Sequence, residues 1–407
     1  MAYVPSTSPE PRRILIRGVN WLGDAVMTTP ALARLREKFP KAHISLLTAA
    51  KLASLWQSHP DLDDILTFAA GEGLWPVGRR LRNGQFDLAL VLPNSPRSAI
   101  ECWLGRIPAR VGYARSWRNY FLTSPVGSPP GYRAMRKRSA NEIRALIDRG
   151  PAEPEVSIPA AAFDYSSHQI HHYLHLAAAV GANPVPLPPR LVVDPAEIAA
   201  AAHKFGLAPM AGTAEGRGNA SVPVLLGLNP GAEYDPAKRW PADFFIQAAR
   251  AVSQAGNFQW LIFGGPSDTA VASRITAGIQ ADGVPGGDRA INLAGRTSLR
   301  ELMALLTLCR VLLTNDTGPM HIAAALGTPV VVPFGSTSPE LTGPGLPGDA
   351  THRLLTSTVP CSPCFLRTCP IDLRCMASLS PQLIAEAVLL ANAASRRLQR
   401  PGGRREG

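Results

Sequence analysis

Short apolar runs and amphipathic helical segments alternate along the first part of the chain. Apolar residues that recur about every 3.6 positions predict helices, whereas short runs of leucine, isoleucine and valine predict buried strands. This alternation predicts a parallel sheet with helices on both of its faces. The predicted elements are strands at 13–17, 43–48 and 87–92 and helices at 24–39, 52–58 and 95–104.

The same alternation returns in the second half of the chain, after a polar, glycine-containing segment at 211–221. Proline- and glycine-rich stretches at 125–131 and 184–189 also interrupt the pattern. We therefore predict an α/β protein of two doubly wound, Rossmann-like domains. The elements predicted for the second half are strands at 224–228, 259–263, 311–314 and 329–333 and helices at 242–254, 298–308 and 318–326, with one more helix that begins near Asp268.

Length and composition agree with two globular domains. A chain of 407 residues exceeds one ordinary core, and 46% hydrophobic against 17% charged residues is a globular balance. No run is apolar enough to span a membrane and no signal peptide is evident, so we expect a cytoplasmic protein with reduced cysteines. The predicted divisions are a disordered tail at 1–13, a first domain at 14–190, a linker with a flexible insertion at 191–222, a second domain at 223–379 and a terminal helix at 380–400.

The basic excess of the chain lies entirely in its first part. Residues 1–150 hold 22 Lys and Arg against 11 Asp and Glu, a balance of +11, whereas residues 151–407 hold 19 of each. The excess is densest between Arg97 and Arg149, where eleven basic residues stand against three acidic ones. Such a field attracts an acidic glycan, anionic lipid or nucleic acid, although a solubilising surface would show the same balance.

Ligands of open α/β sheets bind where strands run into helices, so the loops after the strands are the first candidates for a site. The loop after the first strand, Gly18–Asp24 (GVNWLGD), ends on a carboxylate at a helix start. Asp24 suits two roles, a helix N-cap or a general base. The bulk of Trp21 and the spacing of the glycines disfavour dinucleotide binding.

Two further loops carry groups that suit an anion. Asn94 and Ser95 follow a predicted strand and are ordinary helix caps, but with Arg97 beside them they also suit hydroxyls or an anion. The loop Asn229–Pro241 (NPGAEYDPAKRWP) combines a glycine, a Lys-Arg pair and a helix start. Lys238 and the free amides of that helix predict a pyrophosphate site, unless the pair is only a surface feature.

The fourth loop, Thr314–His321 (TNDTGPMH), lies between a buried strand and an alanine-rich helix. Gly318 permits a ligand to approach the backbone closely, and the helix start suits a phosphate. Asp316 can bind sugar hydroxyls, and His321 stands one turn into the helix. A helix histidine is ordinarily a satisfied core residue, but the neighbours of His321 favour a function.

Together these motifs resemble the ADP-heptose:lipopolysaccharide heptosyltransferases of glycosyltransferase family 9. NWLGDAVM, VLPNS, NPGAEYDPAKRWP and TNDTGPMHIAAALGTPVV occur in the family's order, and the resemblance runs from Ile14 to the last helix. The PGAE…AKRWP loop resembles type II of this family rather than type I. The resemblance implies a GT-B fold, in which two Rossmann-like domains face each other across a cleft and the terminal helix packs back toward the first domain.

The resemblance also implies a reaction. It is the inverting transfer of L-glycero-D-manno-heptose from ADP-heptose to heptose I of the lipopolysaccharide inner core, on lipid A that carries Kdo. Catalysis then requires no cofactor, since a lysine and a helix dipole can stabilise departing ADP. Peripheral contact with the inner face of the inner membrane is implied, and binding of nucleic acid is not. Other family 9 core transferases, of the heptosyltransferase I or III type, are the nearest alternatives.

Residue roles are implied at the positions that match the family. Asp24 would be the general base, and Lys238 would bind the donor phosphates and stabilise ADP. The donor-binding residues implied are Glu233, Tyr234, Lys238, Asp268, Leu293, Asp316, Thr317, Gly318 and His321. The candidates for acceptor binding are Asn20, Trp21, Asn94, Ser95, Arg97, Arg115 and Arg118.

Four cysteines lie close together in the run CSPCFLRTCPIDLRC, at Cys361, Cys364, Cys369 and Cys375. Their spacing suits a structural zinc site. One short loop is a weaker pattern than two separate CxxC knuckles, however, and reduced thiols are the alternative.

Two other classes of protein remain as alternatives. A nucleic-acid-binding protein would explain the basic charge, but we find no interleaved aromatics or known module in the arginine-rich region. A nucleotide-sugar epimerase or dehydrogenase would explain the α/β pattern. It would need a GxGxxG fingerprint and a Tyr/Lys or Cys/His pair in register, and we find neither.

Overall fold

The structure is a computed structural model that describes residues 10–149, 156–157, 164–207, 222–233, 236–281 and 290–398. The strands are β1 (Arg13–Arg17), β2 (His43–Ala49), β3 (Asp64–Phe68), β4 (Leu88–Val91), β5 (Ala109–Tyr113), β6 (Ser124–Val126), β7 (Val156–Ser157), β8 (Val224–Asn229), β9 (Phe258–Ile262), β10 (Ala290–Asn292), β11 (Leu312–Thr314), β12 (Val330–Phe334) and β13 (Arg353–Ser357).

The helices are α1 (Leu22–Met27), α2 (Thr29–Lys38), α3 (Leu74–Asn83), α4 (Pro96–Leu104), α5 (Ala140–Arg149), α6 (Gln169–Ala178), α7 (Pro195–Lys204), α8 (Ala242–Gln254), α9 (Thr269–Gln280), α10 (Leu299–Leu308), α11 (Gly318–Ala325), α12 (Pro339–Thr342), α13 (Arg374–Ala377) and α14 (Pro381–Leu398). Short 3₁₀ helices span Ala50–Trp56, Arg118–Phe121, Tyr165–Ser167, Pro236–Lys238 and Pro266–Asp268.

The first compact unit runs as far as Arg133 and resumes over Ser166–Val192. Its six strands form a parallel sheet in the order β3-β2-β1-β4-β5-β6. The central strand β1 aligns Ile14 with a residue of β2 on one side and of β4 on the other. Three successive residues of β1, Ile14 to Ile16, are completely buried, as expected when helices cover both faces of a parallel sheet.

The second unit combines Ala134–Tyr165 with the chain from Val193 onward. Its seven strands lie in the order β10-β9-β8-β11-β12-β13-β7. Six of them are parallel, and β7 joins the edge antiparallel to β13. Large side chains such as Trp260 and Phe245 fill its core. The prediction of two doubly wound α/β domains is confirmed.

Two predicted helices of the first unit differ in detail. The segment 24–39 forms two helices, α1 and α2, that meet at Thr28. Pro30 lies in the first turn of α2, where its missing N–H removes no helical hydrogen bond, so a helix start there is favourable. The segment predicted as a helix at 52–58 is the 3₁₀ helix Ala50–Trp56.

The boundary between the units differs from the predicted one in two places. Residues 134–165 belong to the second unit, because Ile143 of α5 lies in that unit's core and the main-chain N–H of Arg138 donates to the carbonyl of Cys364 at 3.1 Å. Part of the predicted linker is the helix α7, which also joins the second unit. Glu197 of α7 forms an ion pair with Arg300 of α10. The predicted insertion at 211–221 lies outside the described residues.

The apolar face of the terminal helix α14 is part of the core of the second unit, and packing of this helix back toward the first domain stays a prediction. Ile384, Val388 and Ala391 recur on one face of α14 and are buried together with Phe245 of α8. This face is therefore already covered within the second unit. No described helix, α14 included, combines the length and apolar character that a bilayer crossing needs.

We predict that Ile384→Ala lowers the free energy of unfolding by about 2–4 kcal/mol, because it leaves a cavity at a completely buried position. Urea unfolding followed by tryptophan fluorescence measures the change. Leu390→Ala, on the same helix at a half-exposed position, is the control and should cost less than about 1 kcal/mol. Equal losses in the two variants would contradict the placement of α14.

Candidate active site

In the first unit, a buried ion pair fixes the loop that follows β1. Arg17 ends β1 and is 1% exposed, and its Nε donates to Oε2 of Glu101 at 2.8 Å. Its Nη1 donates to the carbonyl oxygen of Gly18 at 2.6 Å and to Oδ1 of Asn20 at 3.3 Å. A Cβ on Gly18 would lie 3.2 Å from the carbonyl oxygen of Leu47, so the loop packs closely on β2. These contacts determine where the loop runs.

Glu101 also connects this loop to the loop after β4. It lies on α4 and is completely buried, and its Oε1 accepts a hydrogen bond from Nε of Arg97 at 2.8 Å. Because β1 and β4 are adjacent and parallel, their carboxyl ends lie at the same edge of the sheet. The structure therefore brings the loop that holds Asp24 beside the loop that holds Asn94.

Asp24 lies in the first turn of α1, but the N-cap position belongs to Trp21. Asp24 is half-buried and shares a side-chain hydrogen bond with Tyr173 of α6. Burial raises the pKa of Tyr173 well above its usual value, and the nearby Asp24 carboxylate raises it further. The phenol therefore stays protonated and donates to the carboxylate. This contact orients the Asp24 side chain.

Most of the other predicted acceptor residues are exposed around the same edge of the sheet. Asn20 is exposed, and Trp21 is 48% exposed with Nζ of Lys51 at 5.7 Å from its ring centroid. Asn94 and Ser95 are exposed after β4, and the Ser95 hydroxyl caps α4. Ser95 is therefore a helix cap, which is one of the two roles that the sequence left open for it.

Arg118 is a structural residue, and the prediction that it binds an acceptor is not supported. Its guanidinium is completely buried and donates to the carbonyl oxygens of Val91 at 3.1 Å, Pro93 at 2.7 Å and Tyr113. Burial lowers the pKa of Arg118 to about 10, so it remains a cation at neutral pH. The side chain ties the end of β4 to the end of β5.

In the second unit, two separate loops bring Lys238 and Asp316 together. Nζ of Lys238 lies 3.2 Å from Oδ2 of Asp316. The Thr337 hydroxyl, which follows β12, donates to the same oxygen at 2.6 Å. Asp316 is nearly buried, whereas the Lys238 side chain is 23% exposed. A cation that is held by a buried carboxylate and open on one side suits the binding of an anion.

Asn315 ties the two loops of this site together. It is completely buried, and its Oδ1 accepts a hydrogen bond from the main-chain N–H of Trp240 at 3.0 Å. Its Nδ2 donates to the carbonyl oxygen of Pro230 at 2.8 Å. Because β8 and β11 pair in parallel with Asn229 opposite Thr314, both loops leave the sheet at the same edge.

His321 contributes a neutral imidazole at this edge. It lies in the first half of α11, and burial lowers its pKa to about 4 although Asp316 opposes the shift. Thr317 takes the N-cap position of α11 without a side-chain capping bond, and Gly318 begins the helix. A neutral imidazole and the N-terminal end of a helix suit hydrogen bonding to phosphate oxygens.

Asp268 follows β9 and packs against the loop after β8. Its Oδ2 accepts a hydrogen bond from the main-chain N–H of Gly265 at 3.0 Å, and its Oδ1 lies 3.8 Å from Nη2 of Arg239. A Cβ on Gly231 would lie only 2.3 Å from the Asp268 carboxylate, so this contact requires glycine.

The remaining predicted donor-binding residues are Leu293, Glu233 and Tyr234. Leu293 is completely buried, so its side chain belongs to the core and the prediction holds at most for its main chain. Glu233 is exposed, and Tyr234 lies outside the described residues.

Five residues that contribute to these sites are absent from the residues predicted from sequence: Arg17, Glu101, Tyr173, Asn315 and Thr337. Thr337 had a detectable signal, because the segment PFGSTS places a glycine and three hydroxyls directly after a predicted strand. Tyr173 and Glu101 had none, because each lies inside a helix and meets its partner only through tertiary packing.

The prediction of a structural zinc site on the four cysteines is not supported. Among the residues that the structure describes, no group of three or more His, Cys, Asp and Glu side chains is placed to hold a metal ion. The cysteines are free thiols. Burial raises the pKa of Cys375 to about 12, and the neighbouring cysteines add to the shift.

The sequence that builds these sites is similar to that of known glycosyltransferases. Residues 156–374 match the profile of glycosyltransferase family 9 (heptosyltransferase). Lipopolysaccharide heptosyltransferase 2 of Salmonella typhimurium is 30% identical over 352 residues, which are 84% of this chain and 88% of that protein. Lipooligosaccharide heptosyltransferase 2 of Haemophilus ducreyi is 31% identical over 82% of this chain and 86% of that protein.

A solved structure of a heptosyltransferase is similar to this chain as well. The structure of Escherichia coli ADP-heptose lipopolysaccharide heptosyltransferase II covers 94% of this chain and 99% of its own, with a TM-score of 0.70 at 25% identity. The likeness extends over both units, and it confirms the prediction of the GT-B fold class.

We predict that acidification destabilises the protein in part through His321. Its folded-state pKa of about 4 lies below the ordinary 6.5, so between these values the unfolded chain binds a proton that the folded chain does not. The contribution of neutral His321 to the free energy of unfolding is therefore fully present above pH 6.5. As the pH falls toward 4, about 3 kcal/mol of this contribution is lost.

Urea unfolding at about pH 7 and about pH 4 tests this prediction. His321→Gln removes the titrating group, so the variant should lose less stability on acidification than the unsubstituted protein. His203→Gln, at an exposed position in the same unit, is the control and should behave like the unsubstituted protein. The same pH dependence in all three proteins would contradict the prediction.

Proposed function

The chain belongs to glycosyltransferase family 9, the heptosyltransferases, and on this basis we propose a mechanism for its reaction. The reaction is transfer of L-glycero-D-manno-heptose from ADP-heptose to heptose I of the lipopolysaccharide inner core, the type II reaction. The observation that carries this assignment is the likeness to heptosyltransferase 2 proteins over more than four fifths of the chain.

Asp24 is the general base of the proposed mechanism. Its carboxylate takes the proton from the acceptor hydroxyl while that oxygen attacks the anomeric carbon of the heptose. The bond between the anomeric carbon and the ADP oxygen breaks, and ADP leaves with its electron pair. An inverting displacement of this kind needs one base and a stabilised leaving group. Asp24 suits the role because it is only half-buried and is oriented by Tyr173.

Groups of the second unit stabilise the leaving ADP. Lys238 supplies a cation for the diphosphate, and the Asp316 carboxylate holds that cation at 3.2 Å while the Thr337 hydroxyl donates to the carboxylate at 2.6 Å. The N-terminal end of α11 adds partial positive charge. The N–H of the neutral His321 imidazole can donate a hydrogen bond to a phosphate oxygen without bringing a second full charge into the site.

The acceptor locates the reaction in the cell. Heptose I is attached to lipid A through Kdo, so the proposed acceptor remains in a bilayer during transfer. We therefore place the reaction at the cytoplasmic face of the inner membrane. The anionic groups of such an acceptor match the basic excess of the first unit.

We predict that Asp24→Asn lowers acceptor-dependent ADP release by at least about a hundredfold, the effect expected for loss of a general base. The assay uses purified protein, ADP-heptose and an inner-core acceptor that ends in heptose I. Asp64→Asn, an exposed carboxylate of the same unit, is the control and should keep full activity.

Two outcomes of this assay would contradict parts of the proposal. Full activity of Asp24→Asn would remove Asp24 from the base role and leave the transferase assignment intact. No ADP release by the unsubstituted protein with this donor would exclude the heptosyl reaction, and other nucleotide sugars would be the next donors to test.

We predict that Tyr173→Phe lowers kcat about tenfold, because the carboxylate of Asp24 loses the hydrogen bond that orients it. The KM for ADP-heptose should not change, since the donor groups lie in the other unit. The acidic limb of the pH profile should move to higher pH, because removal of a donor disfavours an ionised carboxylate. A uniform loss of activity with an unchanged pH profile would indicate a purely structural role for Tyr173.

A further inference from the structure

Besides Trp21, four large aromatic side chains of the first unit are exposed to solvent. Trp75 of α3 is 75% exposed and Trp103 of α4 is 47% exposed, while Trp117 and Tyr120 in the turn after β5 are 78% and 81% exposed. Single exposed apolar residues are ordinary, but several exposed aromatics in one region of a fold indicate a surface that binds something.

These aromatics lie on elements that contact one another. α3 packs on α4, and Trp103 of α4 makes an edge-to-face contact with Phe121, with ring centroids 5.6 Å apart. Phe121 belongs to the same turn as Trp117 and Tyr120, whose rings lie 6.4 Å apart. The four exposed side chains therefore belong to neighbouring parts of one continuous surface.

The same segments carry an uncompensated positive charge. Between residues 74 and 122 the chain has eight arginines and two acidic residues. Glu101 is buried against Arg17 and Arg97, and Asp87, although exposed, accepts hydrogen bonds from main-chain N–H groups near β1. Arg80 forms an ion pair with Glu72, just outside this range, so Arg79 and Arg82 are the arginines of α3 that are exposed to an anionic partner.

Helix α3 combines both kinds of group on one face. Trp75, Arg79 and Arg82 are exposed at spacings of four and three residues, and so they stand side by side along the helix. Together with Leu104 of α4 they line an open groove of about 730 Å³. Its walls offer an indole, aliphatic carbon and guanidinium groups.

The turn after β5 is held rigidly in an outward position. The buried guanidinium of Arg118 anchors it through three main-chain carbonyls, and Oδ1 of Asn119 accepts a hydrogen bond from the N–H of Arg115 at 2.9 Å. Trp117 has a φ of 63°, a left-handed conformation that is unfavourable for a bulky residue. The fold therefore maintains Trp117 in solvent against a conformational cost.

We propose that this arginine–aromatic surface (Trp75, Arg79, Arg82, Trp103, Trp117 and Tyr120) docks the protein on an anionic phospholipid bilayer. Arginines bind lipid phosphates, while indole and phenol side chains are favourable at the level of the headgroups. The proposal rests on the proposed function, because an acceptor that stays in the bilayer requires the enzyme to reach it. The arginine-rich region does contain exposed aromatics, so our reason for excluding nucleic acid is wrong, and that partner becomes an outcome of the test.

Cosedimentation with lipid vesicles tests the docking surface without any enzymatic reaction. The full chain is mixed with vesicles of phosphatidylethanolamine that contain roughly one third phosphatidylglycerol, and with vesicles of phosphatidylcholine alone. The first variant is the double substitution Arg79→Ser with Arg82→Ser, and the second is Trp117→Ser with Tyr120→Ser. Val185→Ser, at a position of the same unit that is 56% exposed, is the matched control.

We predict that the unsubstituted protein and Val185→Ser bind the anionic vesicles and bind phosphatidylcholine much more weakly. Loss of two arginines should lower the partition coefficient about thirtyfold and make it less sensitive to salt. Loss of the two aromatics should lower it about tenfold on either vesicle. Circular dichroism confirms that each variant is folded.

Three results would overturn the docking proposal. The first is no binding of the unsubstituted protein to anionic vesicles. The second is binding by both double variants that equals binding by the unsubstituted protein. The third is tighter binding of the unsubstituted protein to a single-stranded oligonucleotide than to vesicles. ADP release with a water-soluble, delipidated acceptor separates docking from catalysis. We expect both double variants to keep that activity and to lose activity on acceptor embedded in vesicles.

Discussion

Parallel pairing places the carboxyl ends of neighbouring strands at one edge of a sheet, and the candidate site residues depend on this constraint. In the first unit it brings the loops after β1 and β4 together, and in the second unit it does the same for β8 and β11. One buried polar contact then fixes each pair of loops: the Arg17–Glu101 ion pair in the first unit and the Asn315 side chain in the second. Burying such groups has a desolvation cost, so their effect is to determine the position of the loops more than to increase stability.

The parts of the fold that the sequence predicts are those in which burial repeats over short distances. Helices α8 and α14 begin and end where their amphipathic patterns do, and β1 matches its apolar run. The strand β3 was missed because it lies at the edge of its sheet and exposes polar residues. The membership of residues 134–165 was missed for a different reason. It depends on contacts of Ile143 and Arg138 with residues far along the chain, which no local pattern encodes.

The site residues show the same distinction between local sequence signals and tertiary packing. Asp24, Lys238 and Asp316 were predicted because glycine-containing loops after strands mark them, whereas Tyr173 carries no local signal of its hydrogen bond with Asp24. Arg118 shows the opposite error. An arginine in a basic segment was interpreted as a surface group, although its two Nη atoms donate to carbonyl oxygens at the ends of β4 and β5 inside the protein. The sequence records the type of charge, and only the packing determines whether that charge faces a substrate or the main chain.

The division of residues 134–165 from the rest of the first unit has a consequence for synthesis of the chain. The first unit has all of its described elements once Val192 has been made, so it can fold while translation continues. At that stage Ile143 of α5 is not yet buried, because the core to which it belongs includes residues of α8 and α14 that have not been synthesised. A nascent chain that has folded its first unit therefore exposes the apolar side of α5, with Ile143, between two segments of that unit until the core of the second unit forms.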